Sequence, residues 1–345
     1  MENLLKKFSA PGTLYEKLGG GRVRCLACAH RCAISPGGTG VCRMRCNEGG
    51  TLKVPWGYVS CCSPDPIEKK PFFHVLPGSR TFSFGMFGCN FNCAFCQNYG
   101  ISRASAASCE PAAPERLAVS AKTAEAAFIV ATYNEPLITP EWNLAVFKEA
   151  RKYGIRGAYV SNAYATREAL EYIRPFVEIY KADLKAFSEA AYSRTMGGKL
   201  SAVLKGIELI HSMGFWLEMV TLVIPGLNDG PEELGAIAGF IAGLSRDIPW
   251  HVTAFHPDFR MRDREATPPE TLLRARDAGL AKGLRYVYTG NTDGKAFENT
   301  ACPSCGRTLI RRRGYRVLEN SIRVSGKTGS CPSCSALIPG VFSPG

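Results

Sequence analysis

Between Glu110 and Ala301 the chain has no cysteine, although it carries 15 in 345 residues. That long stretch alternates short apolar runs with amphipathic segments, and the alternation narrows the possible folds more than any other feature. The runs are TFSFGMF (81–87, just upstream), AFIVATY (127–133), GAYVSN (157–162), VEIYKADL (177–184), WLEMVTLVIPG (216–226), WHVTAFHP (250–257) and RYVYTGN (285–291). Between them stand helix-like segments such as EWNLAVFKEARKYG, SAVLKGIELIHSMG, PEELGAIAGFIAGLSR and PETLLRARDAGLAKG. Several end in glycine, which takes the left-handed conformation that stops a helix. Strands that are apolar along nearly their whole length are covered on both faces, as crossover helices cover a parallel sheet. Repeated β-then-α units of this kind predict a parallel barrel or an open sheet.

In such folds the chemistry gathers at the carboxyl ends of the strands. Polar groups stand there in six places: CNFNC after the first run, NEP after the second, NAY after the third, DLK after the fourth, HP after the sixth and GN after the seventh. The pattern predicts that these ends point toward one mouth.

The length suits one large α/β domain with small appendages. The longest apolar stretch, GAIAGFIAGL from Gly235, is about half of the ~20 residues a membrane span needs. The start, MENLLKKFSAPG, lacks the apolar core of a secretory signal. A cytoplasmic, reducing setting is therefore expected, with no membrane association, and the cysteines are read as metal ligands rather than disulfides. Net charge is +12, from 42 Lys+Arg against 30 Asp+Glu, with the basic residues scattered except in RRRGYR at 311–316. No basic stripe interleaved with aromatics appears, which argues against a nucleic-acid partner.

Residues 88–98 read GCNFNCAFCQN, placing Cys89, Cys93 and Cys96 in a C-x3-C-x2-C pattern after a strand-like run, behind a Gly88 that permits a tight turn. Thiolates select zinc, copper(I) or iron–sulfur. A [4Fe–4S] cube takes one ligand per iron, so three cysteines leave one iron open to a small chelating molecule. Phe91 and Phe95 are placed to shield such a cluster from water. The alternative is a structural zinc completed by Cys109 or a distant residue.

Two further sets flank this loop. Cys302, Cys305, Cys331 and Cys334 form paired knuckles with a zinc-ribbon layout, a rubredoxin-like iron being the alternative. GKT at 326–328 is not a phosphate loop, because Ser321 stands where its leading glycine belongs. Cys25, Cys28, Cys32 and Cys42, spaced C-x2-C-x3-C-x9-C, close either a zinc site or a second cluster, with Cys46 and His30 as spare candidates. Cys61, Cys62 and Cys109 read as small packed thiols.

C-x3-C-x2-C at the end of the first strand of a β/α repeat resembles the motif of the radical S-adenosylmethionine (SAM) enzymes. The longer string DPIEKKPFFHVLPG, then GCNFNCAFCQN, then YNEP, with the C-terminal cysteine pairs, resembles the AmmeMemoRadiSam-system branch, which is similar to the pyruvate formate-lyase activating enzymes. The resemblance runs from about residue 23 to 343. It implies a partial parallel (β/α) barrel of the radical SAM type over 77–297, a cysteine-rich module over 1–76 and a zinc-ribbon-like module over 298–345.

It further implies that Cys89, Cys93 and Cys96 hold the [4Fe–4S] cluster, that SAM chelates the fourth iron, and that Phe95 packs beside the adenine. Chelation sets the sulfonium beside the cluster, so its reduction becomes a positioned step. The resulting 5′-deoxyadenosyl radical would abstract hydrogen from a protein or peptide, with a flavodoxin- or ferredoxin-type low-potential donor supplying the electron. TYNEP at 132–136 falls where the family binds the SAM amino group: Glu135 keeps the carboxylate, while Tyr133 and Asn134 replace two glycines. A capped turn is the alternative there. Asp183 and Lys185 share one side of a strand end and match residues that contact SAM; a buried ion pair is the alternative. His256 matches a histidine near SAM, or is merely packed, and Ser161, Asn162 and Asn291 are candidate ribose or carboxylate contacts. Val220 stands where the activating enzymes carry an arginine, so contacts on that side differ. His74, Lys69 and Lys70 are placed either at a barrel entrance or on a solvated turn. Competing functions are radical modification of a small molecule, a zinc-dependent nucleic-acid or protein-binding module, and an electron carrier.

Overall fold

The computed structural model describes residues 7–103, 109–292 and 297–343. The chain packs as two compact units, one of Met1–Pro64, Thr81–Tyr180 and Tyr192–Phe215, the other of Asp65–Arg80, Lys181–Ala191 and Trp216–Gly345.

In the first unit the strands Arg80–Gly85, Ala126–Ala131, Arg156–Ser161 and the opening part of Val177–Asp183 are sheet neighbours in that order. Ala126–Ala131 and Arg156–Ser161 run parallel, with Phe128 beside Arg156 and Ala131 beside Tyr159. The helix Pro140–Arg151 is their crossover. It starts on a proline, whose missing N–H costs nothing at that position, and Gly154, at φ +73°, follows its end. Trp142 and Phe147 from this helix, with Phe84, Phe128 and Tyr159 from the strands, are fully buried. The first sixty residues add two small antiparallel sheets, Ser9–Pro11 with Thr51–Pro55 and Cys46–Glu48, and Tyr15–Lys17 with Val23–Cys25 and Ala33–Ile34. Arg45 anchors them: its guanidinium donates to both oxygens of Glu141 at 2.7 and 2.8 Å, inside the core. Glu141 also accepts from the Thr13 and Leu14 amides, so its carboxylate is held by more than the charge attraction of Arg45.

In the second unit the rest of Val177–Asp183, then Trp216–Val223, Trp250–Ala254 and Val287–Gly290, are neighbours in order. The last three run parallel, with Met219 beside Trp250 and Trp250 beside Val287. The helices Pro231–Leu244 and Pro269–Ala281 are their crossovers, and Gly283 follows the second at φ +90°. Residues 300–338 form two three-stranded antiparallel sheets. Their shared core is Cys302, Leu309, Ile310, Cys331, Ile338 and Phe342.

The strands are less uniformly apolar than the sequence pattern suggests, because two carry a buried charge, Lys181 and Glu218, and a third the buried His251. Glu218 is fully buried and accepts from the amides of Phe73 and His74 (3.0 Å each), Trp216 Nε1 (3.1 Å) and His251 Nε2 (2.8 Å), with Lys181 Nζ at 3.4 Å. Lys181 also donates to the Pro71 carbonyl. Burial alone would raise the Glu218 carboxyl, but Lys181 and His251 outweigh it and hold it well below the ordinary range. Burial pulls Lys181 down to about 8 and His74 down to about 4. His74 Nδ1 faces the Pro339 carbonyl at 2.7 Å, and a carbonyl only accepts, so that nitrogen carries the proton. Nε2 then accepts from Tyr288 Oη at 2.7 Å, Tyr288 lies 2.9 Å from Thr300 Oγ1, and Thr300 accepts from Arg312 at 2.9 Å. His74 and Lys70 therefore do not line an entrance. His74 is in the core, and the buried Lys70 pairs with Asp65 at 2.8 Å. Arg312, inside the basic run 311–316, is also interior: it donates to the Phe73 carbonyl at 2.6 Å and faces Glu68 at 3.5 Å. Among the described residues, no helix is long and apolar enough to cross a membrane.

Candidate active site around the three-cysteine loop

The first strand ends at Gly85, and the chain turns at Gly88 into the cysteine loop. Gly88 has φ +90°, and a Cβ there would lie 2.2 Å from Met44 Cγ and 3.1 Å from the Cys42 carbonyl, so only glycine fits. Its amide donates to the Ile101 carbonyl at 3.0 Å, closing the loop on the short helix Tyr99–Ser102. The Asn92 and Ala94 amides donate to the Met196 and Thr195 carbonyls, fixing the loop's middle. Cys89 Sγ accepts from the Phe91 amide at 3.4 Å, and Cys96 Sγ lies 3.4 Å from Ser102 Oγ. Burial, and then the charge of Glu135, push the Cys89 thiol well up. Phe91 and Phe95 are buried.

Two asparagines brace this loop. Asn134 accepts from the Met86 amide at 3.0 Å and donates to the Gly88 carbonyl at 3.1 Å, stapling both sides of the strand end. Asn90 is buried, accepts from Asn162 Nδ2 at 2.7 Å through its side chain, and presents its carbonyl to His30 Nε2 at 2.9 Å. Tyr133 stands where the resemblance has a glycine, and it holds a glycine-like φ of +71°. The turn is thus kept without the residue that makes it easy. The positive φ is strained for a bulky residue, and Asn98 holds the turn by donating to the Tyr133 carbonyl at 2.9 Å.

Glu135 is the hub of the unit's second and third strand ends. It caps the turn Pro136–Ile138 through the Leu137 amide at 2.9 Å, so the capped-turn reading holds as well. The same oxygen accepts from Ser161 Oγ at 2.7 Å, and the other accepts from the Asn162 amide at 2.8 Å. Tyr180 Oη in turn donates to Ser161 Oγ at 2.8 Å. Asn134, Glu135, Ser161 and Asn162 are therefore joined with Cys89 and Asn90 in one hydrogen-bonded constellation. Asn90 and Tyr180 were not singled out in the sequence; the one available signal for Asn90 was a polar side chain between two cysteines and next to a phenylalanine.

In the second unit Asp183 and Lys185 form an ion pair at 2.7 Å, both partly exposed. His256 is exposed, and Asn291 is exposed with φ +58°. At the position of the activating enzymes' arginine, Val220 is partly buried and its carbonyl accepts from the Leu184 amide at 3.0 Å; the nearby Glu218 is committed to the buried network above. In the C-terminal module the sulfurs of Cys302, Cys305, Cys331 and Cys334 all lie within 4.8 Å of one another, with 3.6 Å from Cys302 to Cys334 and 3.7 Å from Cys305 to Cys331. A tetrahedral zinc with bonds near 2.3 Å sets its sulfurs about 3.8 Å apart. That group suits a single ion.

An α/β chain with a mostly parallel sheet, whose first strand runs into a C-x3-C-x2-C loop braced by the next strand ends, defines the class of the radical SAM enzymes. The pattern of the Radical SAM superfamily matches residues 84–240. The uncharacterized protein MJ0808 of Methanocaldococcus jannaschii is 35% identical over 328 residues, covering 94% of this chain and 97% of its own. The isethionate sulfite-lyase activating enzyme of Nitratidesulfovibrio vulgaris is 25% identical over 165 residues, covering 46% of this chain and 52% of that enzyme. Among solved structures, a radical SAM methyltransferase from Sphaerobacter thermophilus matches with a TM-score of 0.51 at 10% identity, over 83% of this chain and 78% of that one. That likeness shows the fold alone. The chain belongs to the radical SAM superfamily and is an enzyme. Membership implies a [4Fe–4S] cluster and SAM. The donors at hand fit this: three part-exposed thiols on a braced loop would leave one iron of a cube without a protein ligand.

Proposed function

We propose that Cys89, Cys93 and Cys96 hold a [4Fe–4S] cluster whose open iron is chelated by SAM, and that the enzyme abstracts hydrogen from a protein or peptide, in the AmmeMemoRadiSam-system branch. When bound and reduced, the cluster supplies the electron that splits the SAM sulfonium bond into methionine and a 5′-deoxyadenosyl radical. The observation that carries the reading is the bracing of the loop. Asn134 holds its entry, Asn90 ties its first turn to Asn162, and Glu135 is fixed by three donors beside it. A carboxylate so held is already oriented and does not have to reorganise to receive the SAM amino group. Phe91 and Phe95 exclude water from the loop's inner side. The contacts carried over to Asp183, Lys185, His256 and Asn291 belong to the same proposal and are tested singly, by the effect of alanine on the KM for SAM. A protein target is favoured by the name of the relatives, activating enzymes. A flavodoxin- or ferredoxin-type donor supplies the electron, and the C-terminal cysteines hold zinc.

The test is anaerobic reconstitution followed by reduction with SAM present. The expected result is brown protein, an EPR signal altered by SAM, and 5′-deoxyadenosine that disappears in Cys89→Ala, Cys93→Ala and Cys96→Ala. Undiminished 5′-deoxyadenosine in those variants overturns the assignment. Deuterium transfer into 5′-deoxyadenosine from labelled candidate proteins, and none from small molecules, identifies the target class.

A further inference from the structure

The N-terminal cysteines have the order of a metal site, but not the spacing of the C-terminal one. Cys28, Cys32 and Cys42 each lie near enough to Cys25 to interact with it electrostatically, so the other three gather around Cys25. Yet among the described residues only Cys302, Cys305, Cys331 and Cys334 form a group of three or more ligand atoms all within 4.8 Å of one another. No three of Cys25, Cys28, Cys32 and Cys42 come that close. One zinc draws its sulfurs to about 3.8 Å apart. A cube gives each thiolate its own iron corner, so its sulfurs stand wider.

Backbone donors stand around these buried sulfurs. Cys28 Sγ accepts from the His30 amide, Cys32 Sγ from the Val41 amide at 3.5 Å, and Cys42 Sγ from the Met44 and Arg45 amides. Arg45, fully buried, adds a fixed cation facing Cys25 and Cys42, and its Nε has no partner. Asn90 Nδ2 is also buried and unpartnered, and the group it is directed at is Cys28 Sγ. The Asn90 amide, a buried donor directed at Cys28 Sγ, is costly beside a neutral thiol and satisfied beside anionic sulfur.

The spare candidates fall away. Cys46 interacts with Glu48 and Lys53 rather than with the set, and His30 Nε2 is held at the Asn90 carbonyl. We infer that Cys25, Cys28, Cys32 and Cys42 ligate a second iron–sulfur cluster, a [4Fe–4S] cube with all four corners bound by protein. It adjoins the three-cysteine loop. Asn90 meets Cys28 on one side and lies 3.9 Å from Cys89 Sγ on the other, and the Cys42 carbonyl lies against Gly88.

The test is a metal and sulfide inventory of the full chain, which needs no turnover. After anaerobic reconstitution the wild type is expected to hold about eight irons, about eight sulfides and about one zinc. The variant Cys89→Ala/Cys93→Ala/Cys96→Ala is expected to keep about four irons with a cluster Mössbauer signature, because the second site does not use the loop. When both centres are reduced, the wild type should show spin–spin broadening in EPR that is absent in the triple variant. A triple variant with two zincs and no iron overturns the inference, and so does one with a single zinc and nothing at the N-terminal set. Failure of the loop to bind a cluster would appear separately, as a wild type that matches its own triple variant in iron.

Discussion

Gly88 and Glu135 show how little freedom the individual site residues have. A side chain at 88 must adopt φ +90° and displace both Met44 and the Cys42 carbonyl, one of which is backbone. Gly88→Ala is expected to cost about 2–4 kcal/mol, read as a lowered urea midpoint at unchanged slope. Glu135→Gln keeps size and shape but turns one acceptor into a donor. Both oxygens now receive N–H or O–H groups, so the new amide must face either the Asn162 amide or the Leu137 amide and Ser161. The expected destabilisation is about 1–3 kcal/mol, together with weakened SAM binding by calorimetry. The carboxylate of Glu135 was legible from the TYNEP string. The partners that fix it were not, because Ser161 and Asn162 lie a whole β/α unit further along the chain.

At the scale of elements, the apolar runs and their glycine stops located each strand and crossover helix but overran several ends. WLEMVTLVIPG is a strand only over Trp216–Val223 and WHVTAFHP only over Trp250–Ala254, while Gly154, Gly214 and Gly283 all have positive φ. Strands tolerate an isolated charge only when a neighbouring strand supplies its partner, and periodicity is blind to that. Glu218 with His251 is such a case. Glu218→Leu removes the carboxylate that satisfies Lys181, His251 and two amides, and is expected to cost about 3–5 kcal/mol by denaturation. His74 and His251 add a pH dependence. Burial lowers them to about 4 and about 3, so both are neutral in the folded protein when the unfolded chain begins to protonate near its ordinary value. Between about pH 6.5 and 4 the unfolded state binds more protons, and stability falls as pH falls through that window. The expectation is a thermal midpoint that drops on acidification, with a weaker drop in His74→Gln.

For the molecule as a whole, the basic charge of +12 is a poor guide to partners when its densest run is partly structural, as Arg312 is. The C-terminal module has a small core of six buried residues, two of them cysteines, so the proposed zinc would supply much of its stability. Stripping metal with a strong chelator, or introducing Cys305→Ser, is expected to speed amide exchange across 300–343. The strand amides of Ala126–Ala131 should keep their protection. Equal loss in both would mean that the four cysteines do not act as a local folding unit.

The cysteine spacings, the alternation of β and α, and the helix stops are properties of chain order, so the sequence alone determined the superfamily and the elements. Which groups pair across strands depends on distances that chain order does not encode. The folded structure alone decided that Glu135 is gripped by Ser161 and Asn162, that Glu218 gathers Lys181 and His251, and that two of the three cysteine sets are spread while the third is tight. Burial makes those pairings obligatory, since a charge or donor taken out of water must find its partner wherever the fold has placed it.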